Sequence, residues 1–472
     1  MKHIIAFFLV VSAPARAAFT EFYVQTTGSN LNAGSTTSDS ASVTSANGDW
    51  ANAAADTFTA TSGTPFSGVT AGEYASVFLD GSTQTGYVAQ VVSVGGSGAS
   101  VTLSTTIKAG TAPAAGATGR TCKIGGAWAG PSGAVDFPFG FIASTLSSSS
   151  TTPTRSNWKN GTWTVTDGIV HTTDDLWWEA YTTTPGDNTG WAVIQGPTTG
   201  TAFTLITASS MDRSTMEGFI VENNGNSGTD LANYYLMRVG NHNLLRRCKF
   251  RNGWGNGVYN SQESAFVEIE AYNNCLGGGA ATQAGIKINY SGALALRCVS
   301  HDNARGGFLA DGGILLHRVI TYDNGGAGMG STGDENQFCM ASDFYGNTNS
   351  GAHLGLGSQA TMNVNYWNVN FIKNIRYGFE SVGQATPGTF FHNAFGSGTM
   401  ANSLGTVDND KWRQELSTLT YGTDVSPYAD AANGNFNITG SAANESGYSF
   451  FLQLHPSYSG TVGYIDRGAA HQ

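Results

Sequence analysis

The chain has 472 residues, a formal net charge of −11, 12% charged residues, 11% aromatics and 63 glycines. So many aromatics with so little charge excludes a disordered polyelectrolyte and points to a packed protein with a small-polar surface. No basic block occurs, which excludes nucleic acid and anionic membrane surfaces as natural partners.

In chain order, residues 1–17 read as a signal peptide. Lys2 supplies the positive start, Ile4 to Val11 the apolar run and Ala15-Arg16-Ala17 the small-x-small site. No later apolar run reaches the length of a membrane span, so none is expected after signal removal. Residues 18–64 hold a strand around Phe22-Tyr23-Val24, a Gly/Asn turn and a Ser/Thr/Ala-rich linker. Residues 65–130 carry four strand-like stretches with Gly/Ser turns, Tyr74 to Leu79, Gly86 to Val94, Ser100 to Thr105 and Cys122 to Trp128. They predict a small inserted β domain of barrel or sandwich type. Residues 131–157 form a Phe/Pro/Ser-rich connector.

Residues 158–400 are dominated by a repeat. Its clearest copies are Ile269-Glu270-Ala271-Tyr272-Asn273-Asn274, Cys298-Val299-Ser300-His301-Asp302-Asn303 and Val319-Ile320-Thr321-Tyr322-Asp323-Asn324. Looser copies end at Asn224, Asn252, Asn347 and Asn374, and the steps run from 21 to 29 residues. A period in that range marks a solenoid. Five and three positions before each final Asn the residues are apolar or small, the mark of one inward face. The Asn itself turns the chain, and its amide can bond to identical neighbours in a ladder. Helical periodicity is almost absent. The prediction is an all-β solenoid of parallel strands. Residues 401–472 are expected to be its C-terminal cap or tail.

The five cysteines cannot complete a disulfide framework, being odd in number. Cys248 and Cys298 fall in one column two coils apart, about 9–10 Å at the strand spacing, too far to bridge.

The Asn-ended repeats resemble those of right-handed parallel β-helix proteins, the pectate-lyase-like superfamily, over about residues 158–395. Phe22-Tyr23-Val24 with the following Gly/Asn turn, and Asp430 to Phe436, resemble flanking pieces of secreted or phage-encoded β-helix proteins. The resemblance implies a fold shared by polysaccharide lyases, glycoside hydrolases, tailspikes and non-catalytic surface proteins, and fold does not select among these. The Asn-Thr-Asp, Gly-His-Gly and Arg-Ile-Lys motifs of polygalacturonases are missing.

Candidate chemistry collects on adjacent coils. Asp302 and Asp323 share a column one residue before the repeat Asn, with backbones about 4.8 Å apart. They suit a carboxylate pair or, with Asp334 and Glu335, a calcium site. The alternative is that both are turn residues facing water. Lys287, His301 and Arg305 supply the base and cations a lyase needs. Tyr322, Tyr345, Trp178 and Asp311 are candidate substrate contacts. The tryptophans can also cap the open end of the solenoid, which needs covering.

These readings predict a secreted or cell-surface protein that binds a polysaccharide or glycan surface and, as an enzyme, cleaves it as a lyase or glycosidase. The competing readings are a structural homo-oligomer or filament, and a virion tailspike or fibre. The enzyme reading expects Asp302 and Asp323 to converge with Lys287 or Arg305 nearby.

Overall fold

The computed structural model describes residues 19–354 except 53–55, 136, 140, 142–153, 172–173, 230–232, 279–281, 290–291 and 332–336; beyond 354 it describes the strands and a few residues between them. No helix among these residues is long and apolar enough to cross a membrane. The chain forms two compact units. One takes in Met1–Pro131, Asp136–Gly161 and Thr172–Ala192, the other Ser132–Val135, Thr162–His171 and Val193 onward.

In the first unit the strands Thr20–Val24, Thr154–Lys159 and Leu176–Tyr181 stack in parallel, with Phe22 opposite Ser156 and Ser156 opposite Trp178. Between the first two of these strands the chain closes a six-stranded antiparallel barrel, Val43–Asn52 to Arg120–Ile124. Its core holds Trp50, Phe58, Phe66, Tyr87 and Val101. The barrel starts well before residue 65. Val43–Asn52 and Thr57–Ala60 complete it, although small polar residues dominate both and only Trp50 and Phe58 supply large inward side chains. Two aromatic inward residues suffice where the neighbouring strands fill the rest, so the alternation that marks a strand in sequence is weak there.

The second unit is a right-handed parallel β-helix. Each coil contributes, in order, one strand to each of three sheets. One coil gives Tyr235–Asn241 to sheet I, Leu244–Arg246 to sheet II and Lys249–Arg251 to sheet III. Next come Asn256–Gln262, Ala265–Val267 and Glu270–Tyr272, then Ala284–Ile288, Ala293–Leu296 and Val299–His301. Sheet III keeps strict register: Phe250, Ala271, Ser300, Thr321 and Phe344 oppose one another in sequence. All five are fully buried, as are Phe219, Cys248, Cys298, Val319 and Ser342 in the other inward column. The five cysteines are free and buried.

Most corners of the described coils are turned by a residue at positive φ. Between sheets I and II these are Arg213, His242 and Glu263; between II and III, Arg247, Glu268, Arg297 and Arg318; between III and I, Asn223, Asn252, Asn273, Asp302 and Asp323. The repeat Asn follows the last of these. Asn274, Asn303, Asn324, Asn347 and Asn374 are buried. The backbone N–H of Asn303 donates to Oδ1 of Asn324 at 3.2 Å, and its Nδ2 donates to the same atom at 2.9 Å. Asn324 repeats this toward Asn347, and Asn347 toward Asn374. Each amide also reaches back to a carbonyl of the preceding coil, as from Asn324 to Ser300 O at 3.0 Å.

Register corrects one copy of the repeat. Lys249 pairs with Ile220 and Glu270, which puts Asn252 in the positive-φ column and Gly253 in the ladder slot. A Cβ on Gly253 would lie 2.8 Å from Asn274 Oδ1, so the gap in the ladder is steric. The Gly253 N–H still donates to that oxygen, at 3.0 Å.

Replacing Asn324 with Ala removes the acceptor of two Asn303 donors inside the core. It is expected to destabilise the solenoid by about 3 kcal/mol, with unpaired buried donors the main cost. Chemical denaturation of the variant beside the parent measures this.

Candidate functional site

The expected site residues divide among places in the fold. His301, Tyr322 and Tyr345 lie in one outward column of sheet III, and Asp302 and Asp323 at its corner toward sheet I. Lys287 lies on sheet I, with Asp311 just past the end of the next strand and Arg305 just before it. Asp334 and Glu335 fall outside the described residues. Trp178 belongs to the first unit, where it is 1% exposed and stacks on Phe139 at 4.7 Å, with Trp158 at 5.5 Å. Its indole is core, because alternation turns Trp178 inward and Trp177 outward. Trp178 therefore offers no face to a sugar.

The sheet III column is self-contained. Arg251 Nε donates to Glu222 Oε2 at 2.5 Å and its Nη1 to the Tyr272 hydroxyl at 3.0 Å. The His301 ring lies flat between Tyr272 at 5.0 Å and Tyr322 at 4.5 Å. Its Nδ1 is 2.7 Å from Asp302 Oδ2 and its Nε2 3.3 Å from Glu270 Oε1. Glu270, a partner the repeat pattern did not single out, also pairs with Lys249 at 2.7 Å. Both faces of His301 and one face each of Tyr272 and Tyr322 are spent on one another.

Asp302 and Asp323 hold left-handed backbone at φ 51° each, on adjacent coils. In that column stand three asparagines, these two aspartates and Gly346, the residues that tolerate such backbone best. Asp302 is 51% exposed. Burial pushes the Asp323 carboxyl above the usual range, and the neighbouring Asp302 adds to this. Among the described residues neither aspartate pairs with Lys287 or Arg305, and no group of three or more His, Cys, Asp or Glu is placed to hold a metal ion. Asp302 and Asp323 act on each other by charge, and neither forms an ion pair with Lys287 or Arg305 among the described residues. The physical reason is that the aspartates are corner residues of one sheet and the lysine projects from another.

Sheet I holds a different arrangement. Arg238, Tyr259, Lys287, Leu309 and Gly330 oppose one another on successive strands, in the column between the inward ones. The Lys287 ammonium lies 5.9 Å from the centre of the Tyr259 ring and the Arg238 guanidinium 5.4 Å from it. Lys287 is 9% exposed and forms no ion pair among the described residues. Burial lowers its pKa from the ordinary lysine value, with Asp311 and Cys275 opposing. Burial raises that of Asp311, with Lys287 opposing. One coil along, Arg305, Leu309, Ala327, Gly330, Asn349 and Gln283 line a cavity of about 120 Å³. Arg305 and Lys287 thus share a neighbourhood, and both lie close enough to Cys275 for their charges to act on its thiol. Tyr259 and Arg238 are the members that sequence reasoning missed.

No family model matches the chain, and no curated protein matches it. Among solved structures it is similar to pectate lyase Pel9A, with 17% identity over 68% of this chain and 88% of that one, TM-score 0.48. It is similar to the A-module of mannuronan C-5 epimerase AlgE4 from Azotobacter vinelandii, with 13% identity over 58% and 81%, TM-score 0.39. A GH87 alpha-1,3-glucanase catalytic domain matches at 11% identity over 82% and 89%, TM-score 0.29. At such identities the likeness concerns fold alone, and the class these strands define is the right-handed parallel β-helix.

Two outcomes follow from sheet III. Asp302→Asn keeps a residue suited to left-handed backbone but gives up the carboxylate facing His301 and should cost about 1 kcal/mol or less, whereas Asp302→Val gives up both and should cost about 1–2 kcal/mol more; denaturant titration distinguishes them. Burial opposes protonation of His301, but its hydrogen bonds to Glu270 and Asp302 outweigh this and raise its pKa. A raised folded-state pKa gives stability that is fully present below the unfolded value, about 6.5, and lost as pH rises through the folded one. The melting-temperature difference between parent and His301→Gln should therefore shrink from about pH 5.5 to about pH 8.5.

Proposed function

We propose that the chain binds an acidic polysaccharide along the outer face of sheet I and cleaves it by β-elimination, with Lys287 as the base. The observation that carries this reading is Lys287 itself, a nearly buried amine with a lowered pKa and no ion-pair partner among the described residues. A lysine in that state is available as a neutral base closer to neutral pH than an exposed one.

The surrounding groups support the same chemistry. Arg238 provides positive charge to a uronate carboxylate, which acidifies the proton on the adjacent C5. Lys287 Nζ takes that proton as the C5–H bond breaks. The electron pair forms the C4–C5 double bond and the C4–O4 bond breaks; the leaving O4 takes a proton from water, and the protonated Lys287 returns its proton to solvent. Tyr259, itself buried, packs its ring beside the amine and on Tyr235 and so fixes where the amine stands. The reading places the protein outside the cytoplasm, in line with the signal-like first 17 residues. Asp302 and Asp323 have no part in it.

Incubation with polygalacturonate, alginate and a neutral glucan, with ultraviolet absorbance read for unsaturated ends and a reducing-end assay in parallel, tests it. Unsaturated ends from an acidic polymer are expected, and Lys287→Met should lower the rate by about 10²–10⁴-fold. The parent rate should rise with pH and level off below about 10.4, the ordinary lysine value. New reducing ends without unsaturation, or full activity in Lys287→Met, would overturn the assignment.

A further inference from the structure

The cavity one coil beyond Lys287 has no role in proton abstraction, yet it is built by a local departure from the column. Where neighbouring strands carry Arg238, Tyr259, Lys287 and Leu309, the next strand carries Gly330. The missing side chain opens about 120 Å³ against Leu309, Ala327 and the glycine backbones 306, 325 and 326. Gly330 is not among the glycines at positive φ, so strand backbone does not demand it. The polar side of the cavity is Arg305, Asn349 and Gln283. Arg305 donates from Nη2 to the carbonyl of Gly278 and forms no ion pair among the described residues. Its Nε is buried with no hydrogen-bond partner there. A buried guanidinium N–H left unmatched beside an open space calls for an acceptor, and its uncompensated charge calls for an anionic one.

We propose that this cavity is a binding site for a carboxylate group one sugar along from the residue attacked by Lys287, held by Arg305 and admitted by Gly330. The inference rests on the polysaccharide reading for its position, though the cavity's chemistry stands apart from it. Coil spacing of about 4.8 Å puts the cavity within one or two coils of the amine, a distance that adjoining sugar rings span. The size excludes a whole ring and fits a small planar group. The carboxylate can belong to a second uronosyl residue or to a pyruvyl substituent on a neutral one.

Binding is measured by calorimetry with Lys287→Met, so that turnover does not intervene. The probes are a uronate trisaccharide, a pyruvylated neutral trisaccharide and an undecorated neutral trisaccharide. Gly330→Leu, which fills the cavity, and Arg305→Met, which removes the cation, are each expected to weaken at least one carboxylate probe tenfold or more. Neither should change binding of the undecorated probe. Which carboxylate probe responds identifies the source. Arg305→Met keeps the test open if Gly330→Leu does not fold. Unchanged affinity for both carboxylate probes in the folded variants would overturn the cavity site. Cleavage retained in Lys287→Met would instead overturn the base assignment and leave the cavity site standing.

Discussion

Every coil must turn three corners without leaving backbone polar groups unpaired inside the stack. The chain meets this with left-handed residues at most corners and, at the corner after sheet III, a buried amide bonded to the next coil's amide. Left-handed backbone costs roughly 1 kcal/mol or more for a residue other than glycine. A buried amide that satisfies two donors offsets a cost of that order, because each hydrogen bond contributes about 1 kcal/mol net. The inward columns can then be uniformly apolar or small, and strict register follows, since a slip of one residue would send every inward side chain outward. The gap at Gly253 shows how tight the arrangement is. The corner survives there by offering only its backbone N–H to Asn274.

With corners and core committed to architecture, variation is left to the outward columns, and the two best-defined ones differ in kind. On sheet III, Glu222, Arg251, Tyr272, His301 and Tyr322 satisfy one another through ion pairs, hydrogen bonds and ring stacking. Both His301 nitrogens face carboxylates, so the protonated ring fits the site best. Such a column stiffens the stack and has little left to offer a ligand. On sheet I, two cations flank one tyrosine and the next positions shrink to Leu309 and Gly330.

Legibility in the sequence followed the same division. The repeat Asn and the two inward columns were readable because they recur at fixed offsets in most coils, the coil of Gly253 excepted. The Asp302 and Asp323 column was readable as a column but not as to purpose. Aspartate before the Asn suggests a carboxylate pair until the backbone is seen, where Asn223, Asn252 and Asn273 hold the same left-handed turn. The sheet I column was not readable, and the reason is spacing. Six residues separate Asn303 from Leu309 and Asn324 from Gly330, but 13 separate Asn274 from Lys287 and 14 separate Asn224 from Arg238. Extra residues at the corner after sheet III break the alignment there. Lys287 therefore seemed in sequence to belong with His301 and Asp302, while its actual neighbours, Tyr259 and Arg238, stayed hidden.

Energetics give that placement its weight. Burying a cation costs several kcal/mol unless a partner compensates. Several partly buried arginines have such partners: Arg155 has Glu179 and Glu21, Arg251 has Glu222, and Arg247 has Glu217. Lys287 is buried beside no such group; Asp311 acts on it only through space and is itself pushed toward its neutral form. Arg305, on the next coil, has only a carbonyl. A solenoid selected for rigidity alone gains nothing from the under-compensated Lys287, since an apolar residue there would be more stable. A solenoid that takes an anionic polymer on that face recovers the cost on binding, and leaving the amine without a carboxylate of its own lowers its pKa, so that it is unprotonated and free to take a proton nearer neutral pH.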